Sequence, residues 1–229
     1  MRKIALFTLI LAILTSCSVT ETLTINKNGG SSSSDIQVEQ FFVDVLEDFA
    51  EFLPSDESIM DSAMSGFSKD LDKAASTTSV SFKKTGENHY KIDFDYTSLT
   101  ALINELGGSS QTLFKESSNS ISFYVDINNF EELTKIVPFL ADPNFEVYGP
   151  LYNKDTTEED YLDMIYFLLG EDGPDAIRNG KVTIDIKVPG TITTLKGATK
   201  VNSSTARFTF PIIDFLLLSH PLTFEINWR

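Results

Sequence analysis

Val19-Thr20-Glu21-Thr22-Leu23-Thr24-Ile25-Asn26-Lys27-Asn28-Gly29-Gly30-Ser31-Ser32-Ser33-Ser34-Asp35-Ile36-Gln37-Val38 is the stretch on which the fold turns. Its first half alternates. Val19, Glu21, Leu23 and Ile25 fall on one side of an extended chain and Thr20, Thr22 and Thr24 on the other, the period of a half-buried strand. The second half has two readings. The low-complexity run of residues 28–35 can make the segment 18–35 a short flexible tether. Alternatively, Asn28-Gly29-Gly30 is a hairpin turn that returns a second strand through Ile36 and Val38. The alternation favours the hairpin, and ordered structure then begins within two or three residues of Cys17.

Downstream, Val38, Phe41, Phe42, Val45, Leu46, Phe49 and Leu53 repeat with a helical period opposite Asp44, Glu47, Asp48 and Glu51, and Pro54 ends the run. Ser55, with Asp56 and Glu57, is placed to cap a second helix whose stripe is Met60, Met64, Phe67 and Leu71. Alternating strands follow through Val80 and Phe82, Tyr90 to Tyr96, Ile121 to Ile127, Val182 to Val188, Phe208 and Phe210, and Leu222 to Trp228. Their intervening residues are mostly polar, which suits an antiparallel sheet with one solvated face. Several strands run straight into helical segments, near residues 36–48, 92–106, 123–140 and 208–218. The chain therefore reads as α+β, a mainly antiparallel sheet built from strand–strand–helix units with helices packed on one face. In the long connection 142–179, Thr156-Thr157-Glu158-Glu159 reads as a capping box. The stripe behind it is Tyr161, Leu162, Ile165, Leu168 and Leu169, and Gly170 stops the helix. Glu171-Asp172-Gly173-Pro174-Asp175 reads as a turn.

Upstream, Arg2 and Lys3 precede an apolar run over residues 4–14 broken only by Thr8. Eleven such residues make a signal-peptide core; a bilayer span takes about 20. The run ends in Leu14-Thr15-Ser16-Cys17, which resembles the lipobox of bacterial lipoproteins. The resemblance implies that Cys17 receives a diacylglyceryl group, that residues 1–16 are cleaved as a lipoprotein signal peptide, and that the new amino terminus is acylated with a palmitate-type chain. Residues 17–229 are then a single α+β domain in the bacterial cell envelope. The residue after the cysteine is Ser18 and not aspartate, which under the sorting rule of enteric bacteria favours the outer over the inner membrane.

Composition narrows the function. Eighteen basic against thirty-three acidic residues give −15, and no basic face for nucleic acid. Loss of residues 1–16 removes Arg2 and Lys3 and leaves −17, a body repelled by an anionic bilayer, so the lipid and not the protein surface holds it. Cys17 is the only cysteine and His89 and His220 are the only histidines, which excludes disulfide frameworks and cysteine- or histidine-based metal centres.

The last fifty residues combine the strand 181–188, the turn Val188-Pro189-Gly190, a strand near residues 192–195, Gly197, the strand 205–210, the apolar segment 211–218 and the late Trp228. This arrangement resembles the C-terminal part of the LppM-like lipoprotein domain, over about a fifth of the chain. The resemblance implies a lipid-anchored α+β domain, and no enzymatic activity is carried over from it. Members of that group often continue into a C-terminal membrane helix, which this sequence does not contain.

Catalytic constellations are scarce. There is no Gly-x-Ser-x-Gly elbow. Ser81-Phe82-Lys83-Lys84 fits Ser-x-x-Lys but falls on a strand, without the companion motifs that such a nucleophile needs. Asp155, Glu158, Glu159, Asp160 and Asp163 form the densest acidic cluster; it lacks the spacing of a calcium loop and is what a helix dipole attracts at its first turn. Gly29-Gly30 and Gly107-Gly108 lack the lysine of a phosphate loop. No cofactor, metal or catalytic residue is expected. The expected function is that of a non-catalytic, lipid-anchored binding or structural domain, with the membrane as one partner through Cys17 and the protein or ligand partner unassigned. Its rival is a carrier of a hydrophobic ligand at the membrane surface, suggested by eighteen phenylalanines and the apolar run 208–218. A carboxylate hydrolase is the weakest reading.

Overall fold

The computed structural model describes residues 18–38, 40, 43, 58–108, 111–136 and 147–229. The expected signal segment, Cys17, most of the amphipathic stretch 38–53, Pro54 and the expected cap Ser55 lie outside the described residues.

The chain opens as the hairpin. Strand β1 (Ser18–Asn26) pairs antiparallel with β2 (Gly29–Gln37), from Ser18 opposite Gln37 to Asn26 opposite Gly29. Glycine is required at the bend. Gly29 has φ 108°, and a side chain at Gly30 would collide with the Thr24 carbonyl and the Tyr96 ring. The serine run is therefore a strand, and its small side chains let the neighbouring strand approach.

Helix α1 (Ile59–Lys73) begins behind Ser58 and buries Met60, Met64, Phe67 and Leu71, the stripe that the sequence predicts. Strands β3 (Thr77–Gly86) and β4 (His89–Tyr96) form the next hairpin, followed by α2 (Leu99–Ile103) and a widened turn over Asn104–Gly108. A third hairpin, β5 (Phe114–Ser117) and β6 (Ser120–Val125), leads to α3 (Phe130–Ile136). The predicted strand through Ile127 stops at Val125 because the Asp126 carboxylate accepts from the Asn128 and Asn129 amides and bends the chain. Helices α4 (Glu158–Leu169) and α5 (Asp172–Asn179) precede β7 (Lys181–Lys187), β8 (Ile192–Lys196), β9 (Thr199–Lys200), β10 (Thr205–Pro211), α6 (Ile212–Leu217) and β11 (Leu222–Trp228).

These strands make two sheets. The larger runs β3-β4-β2-β1-β7-β10-β9 and the smaller β5-β6-β11-β8. Every described pairing is antiparallel except β1 with β7, where Ser18 lies opposite Lys181 and Thr24 opposite Lys187. The fold is α+β with mostly antiparallel sheets. The sheets meet through aromatic rings: Phe208 of β10 lies 5.1 Å from Phe224 of β11 and 6.3 Å from Phe123 of β6, centroid to centroid. Val19, Ile25, Ile36, Tyr90, Ile92, Val182 and Ile186 complete the inner face of the large sheet, while Thr20, Thr22, Asp35, Asp95 and Thr209 face solvent.

Two local expectations are corrected. Residues 171–175 do not form a turn: Asp172-Gly173-Pro174-Asp175 is the first turn of α5. Proline is tolerated there because first-turn amides have no partner within the helix, and Gly173 is small enough to sit against Ile165 and Leu169 of α4. The α4 cap is Thr157, one residue later than the predicted box, with its hydroxyl accepting from the Asp160 amide at 3.2 Å. The buried stripe of α4 is correspondingly shorter. Tyr161, Leu162 and Ile165 are buried, but Leu168 is 45% exposed.

Candidate functional site

The most unusual chemistry among the described residues sits in the middle of the large sheet. Pleating sends Glu21 to the same side as Val19 and Ile25, so its carboxyl enters the core and is only 5% exposed. The β1–β2 register sets Glu21 opposite Ser34 and Leu23 opposite Ser32, and both serines are inward and buried. The Ser32 hydroxyl donates to Glu21 Oε1 and the Ser34 hydroxyl to Oε2, so each carboxyl oxygen has its own donor. Apolar residues frame the group. Ile184 lies opposite Glu21 on β7, and Ile92 and Phe94 lie opposite Ser34 and Ser32 on β4. Leu23, Phe94 and Ile184 are only half-buried.

Burial pushes the Glu21 carboxyl above its ordinary range; the two serine hydroxyls pull the other way, and the charge of Asp93 adds to the rise. The same surroundings, with the charges of Glu116 and Glu21, push the Tyr96 phenol up; its hydroxyl donates to the Thr24 carbonyl at 3.0 Å. A carboxyl of raised proton affinity, flanked by hydroxyls in an apolar wall, can when protonated donate a hydrogen bond to the polar end of an amphipathic molecule. It is not a cation cage: among the described residues no three histidine, aspartate, glutamate or cysteine side chains converge in a way that could hold a metal ion.

A concavity of about 430 Å³ opens at the C-terminal end of β1, between Thr24, Asn26, Lys187, Pro189, Gly190 and Arg229. It is shallow and largely polar, and is separated from Ser18 by the length of β1, about 26 Å at 3.3 Å per residue.

The residues singled out in the sequence are dispersed. Cys17 lies outside the described residues, but Ser18, its neighbour, is the first residue of β1. Ser81 and Lys84 are both exposed on β3, and the Lys84 ammonium is occupied by Asp61 at 2.8 Å. Burial pulls the Asp61 carboxyl up, but Lys84 and the Tyr90 hydroxyl outweigh it and hold Asp61 below its ordinary range. His89 Nε2 meets Asp35 Oδ1 at 2.8 Å on the solvated face. His220 is exposed after α6. Glu158, Glu159, Asp160 and Asp163 are exposed along α4, and Asp155 is exposed in the preceding loop.

Sequence reasoning passed over Glu21, Ser32 and Ser34. The signal was present in their phase: Glu21 shares parity with Val19 and Ile25, and Ser32 and Ser34 share it with Ile36 and Val38. A polar residue on the apolar parity of a strand is a buried polar group.

The architecture is that of an α+β protein. No protein-family model and no curated protein matches this chain. Among solved structures it is similar to the folded domain of LppM from Mycobacterium tuberculosis, determined by NMR. That similarity has a TM-score of 0.42 and 8% identity, and covers 94% of this chain and 90% of that one.

Proposed function

We propose that this protein is a bacterial cell-envelope lipoprotein, held on the membrane by lipid on Cys17 and presenting a non-catalytic binding or structural domain. The observation that carries this reading is a junction. The lipobox Leu14-Thr15-Ser16-Cys17 abuts Ser18, the first residue of a central strand, so an acylated Cys17 has no linker between it and the folded body. Two or three acyl chains hold a protein durably, since each buried methylene contributes about 0.8 kcal/mol. The membrane-bound orientation follows: the shallow concavity beside Arg229 points away from the lipid and is the surface offered to partners. The outer membrane is the favoured site, from Ser18.

The test is Cys17→Ser. Metabolic labelling with a fatty-acid analogue is expected to be lost, with uncleaved precursor accumulating. Normal maturation of the variant would end the anchor reading.

A second reading, a carrier for an amphipathic molecule, is supported by Glu21 and its two serines beside half-buried Leu23, Phe94 and Ile184. Native mass spectrometry of the full protein is then expected to reveal a co-purifying lipid that Glu21→Leu releases.

A further inference from the structure

Charge is spread unevenly along this chain. Residues 186–213 hold Lys187, Lys196, Lys200 and Arg207 and no aspartate or glutamate, in a protein of net charge −15. Two of these cations are occupied: Lys196 meets Glu225 at 3.1 Å and Arg207 meets Asp185 at 2.7 Å. Asp185 lies two residues before Lys187 on the same face of β7, so the Arg207 pairing takes up the carboxylate nearest to Lys187 in the strand. Lys187 itself, like Lys27 and Arg229, makes no ion pair among the described residues.

The fold brings two of these unpaired cations to one place. Lys187 and Arg229 both line the concavity of about 430 Å³ at the C-terminal end of β1, and no aspartate or glutamate lines it. Lys27 follows the wall residue Asn26 in the first turn. Backbone hydrogen bonds hold the walls. The Thr191 amide donates to the Arg229 carboxyl oxygen at 3.0 Å, and the Arg229 amide donates back to the Thr191 carbonyl at 3.1 Å. The Val188 amide donates to the Ser204 carbonyl at 2.9 Å and the Ile192 amide to the Ser203 carbonyl at 2.8 Å. Gly190 permits this closeness, since a side chain there would collide with the Arg229 oxygen. The hydroxyls of Thr24, Thr191 and Ser203 add donors to the wall, and none is engaged by another group among the described residues.

We propose that this concavity binds a small, water-soluble oxyanion, a phosphate or a carboxylate, through Lys187 and Arg229. This deepens the reading of the concavity as the surface offered to partners by naming the chemistry it takes, and it does not depend on the anchor at Cys17. A hollow with cations, hydroxyl donors and no acidic side chain gives each oxygen of such a group a donor and its charge a partner. Its polar wall offers little to an apolar ligand. The overall negative charge of the chain opposes an anion, but at about 0.1 M salt a charge reaches only about 10 Å, so the nearby cations decide.

The experiment uses the full chain, produced with its signal segment and kept in a nonionic detergent. Calorimetric titrations at low salt use pyrophosphate, citrate, glucose and the short-chain lipid dihexanoyl phosphatidylglycerol. Pyrophosphate, citrate or both are expected to bind at one site per chain, and the tighter of the two identifies the group; uncharged glucose is expected not to bind. Lys187→Gln and Arg229→Gln are each expected to weaken binding about threefold, and about tenfold together. Both residues are exposed, so unchanged melting temperatures are expected for these variants. Lys83→Gln removes an exposed cation from β3, the outermost strand of the same sheet, and is expected to leave binding unchanged. Four results would overturn the proposal: neither free anion binds, the lipid alone binds, binding survives the double variant, or Lys83→Gln weakens it as much as Lys187→Gln does. The anchor is read separately, from the intact mass of the same sample, and neither result depends on the other.

Discussion

The two faces of the large sheet are made by the same strands, one residue apart, and they treat a carboxylate in opposite ways. On the inner face Glu21 is enclosed by aliphatic side chains and two serine hydroxyls, with no cation among its hydrogen-bond partners, and burial raises its affinity for a proton. On the outer face Asp185 meets the Arg207 guanidinium through two bonds of 2.7 Å, which lowers its proton affinity. Asp93 likewise accepts from Ser33 at 2.6 Å with Lys91 at 3.7 Å. The outer charges keep their water and a partner. The inner one has exchanged both for hydroxyl donors. Strand parity thus decides whether an acid is solvated and paired or buried with a raised proton affinity.

The comparison breaks most visibly at the aromatic contact that closes the inner face. Phe208→Ala removes a ring within 5.2 Å of Phe210 and 5.1 Å of Phe224, and is expected to cost about 3–5 kcal/mol in urea unfolding. A cost below about 1 kcal/mol would mean that the two sheets are not joined there. Next comes Glu21→Ala, which strands the Ser32 and Ser34 hydroxyls in an apolar setting at about 1–3 kcal/mol. Replacing all three by apolar residues is expected to recover most of that loss, since no donor is then left unpaired.

The two faces also differ in sign against pH. The unfolded chain gives up the Glu21 proton near 4.5, whereas the fold keeps it to higher pH. Glu21 therefore adds stability on the acid side and withdraws it as pH climbs from 4.5 towards its raised value. For Asp185 the folded value lies below 3.8, so its contribution is present above that pH and lost as pH falls through the lowered value. Melting temperatures across an acid-to-neutral series should rise towards neutral pH for Glu21→Gln relative to the parent. They should show a smaller acid-side loss for Asp185→Asn. Opposite slopes would reverse the assignment of faces. The smallest effect is expected from Arg207→Ala: its partner lies on the solvated face, and at high salt the melting temperature should be unchanged.

Parity and period carried much of this fold in the sequence. The hairpin at residues 18–37 and the stripe of α1 could be read because apolar residues recur at two or at three-to-four positions. The terminal strand was legible through Trp228, in phase with Leu222, Phe224 and Ile226. Helix α5 was hidden because Gly173 and Pro174 are breakers in isolation; only the surface of α4 makes a small residue at 173 favourable. The parallel β1–β7 pairing was also invisible, because no local pattern links strands so far apart in the chain. Glu21 escaped for another reason. Its type argues for solvent and its position for the core, and in this case position wins because Ser32 and Ser34 are within reach. The period of α4 reads Leu168 as core although it is 45% exposed, since an apolar period does not reveal where the partner surface ends.

The parallel pair has a consequence for timing. Strand β1 lies between β2 and β7, so one flank can zip within the first forty residues made, while the other must wait until residues 181–187 have been synthesised. During that interval the start of the chain is held by a single hairpin and remains readily pulled apart. An enzyme that modifies or cuts at Cys17 would meet a pliable strand end then; after β7 docks it would face the middle of a finished sheet. Order of assembly, and not only proximity, thus sets when the amino-terminal strand becomes paired on both sides.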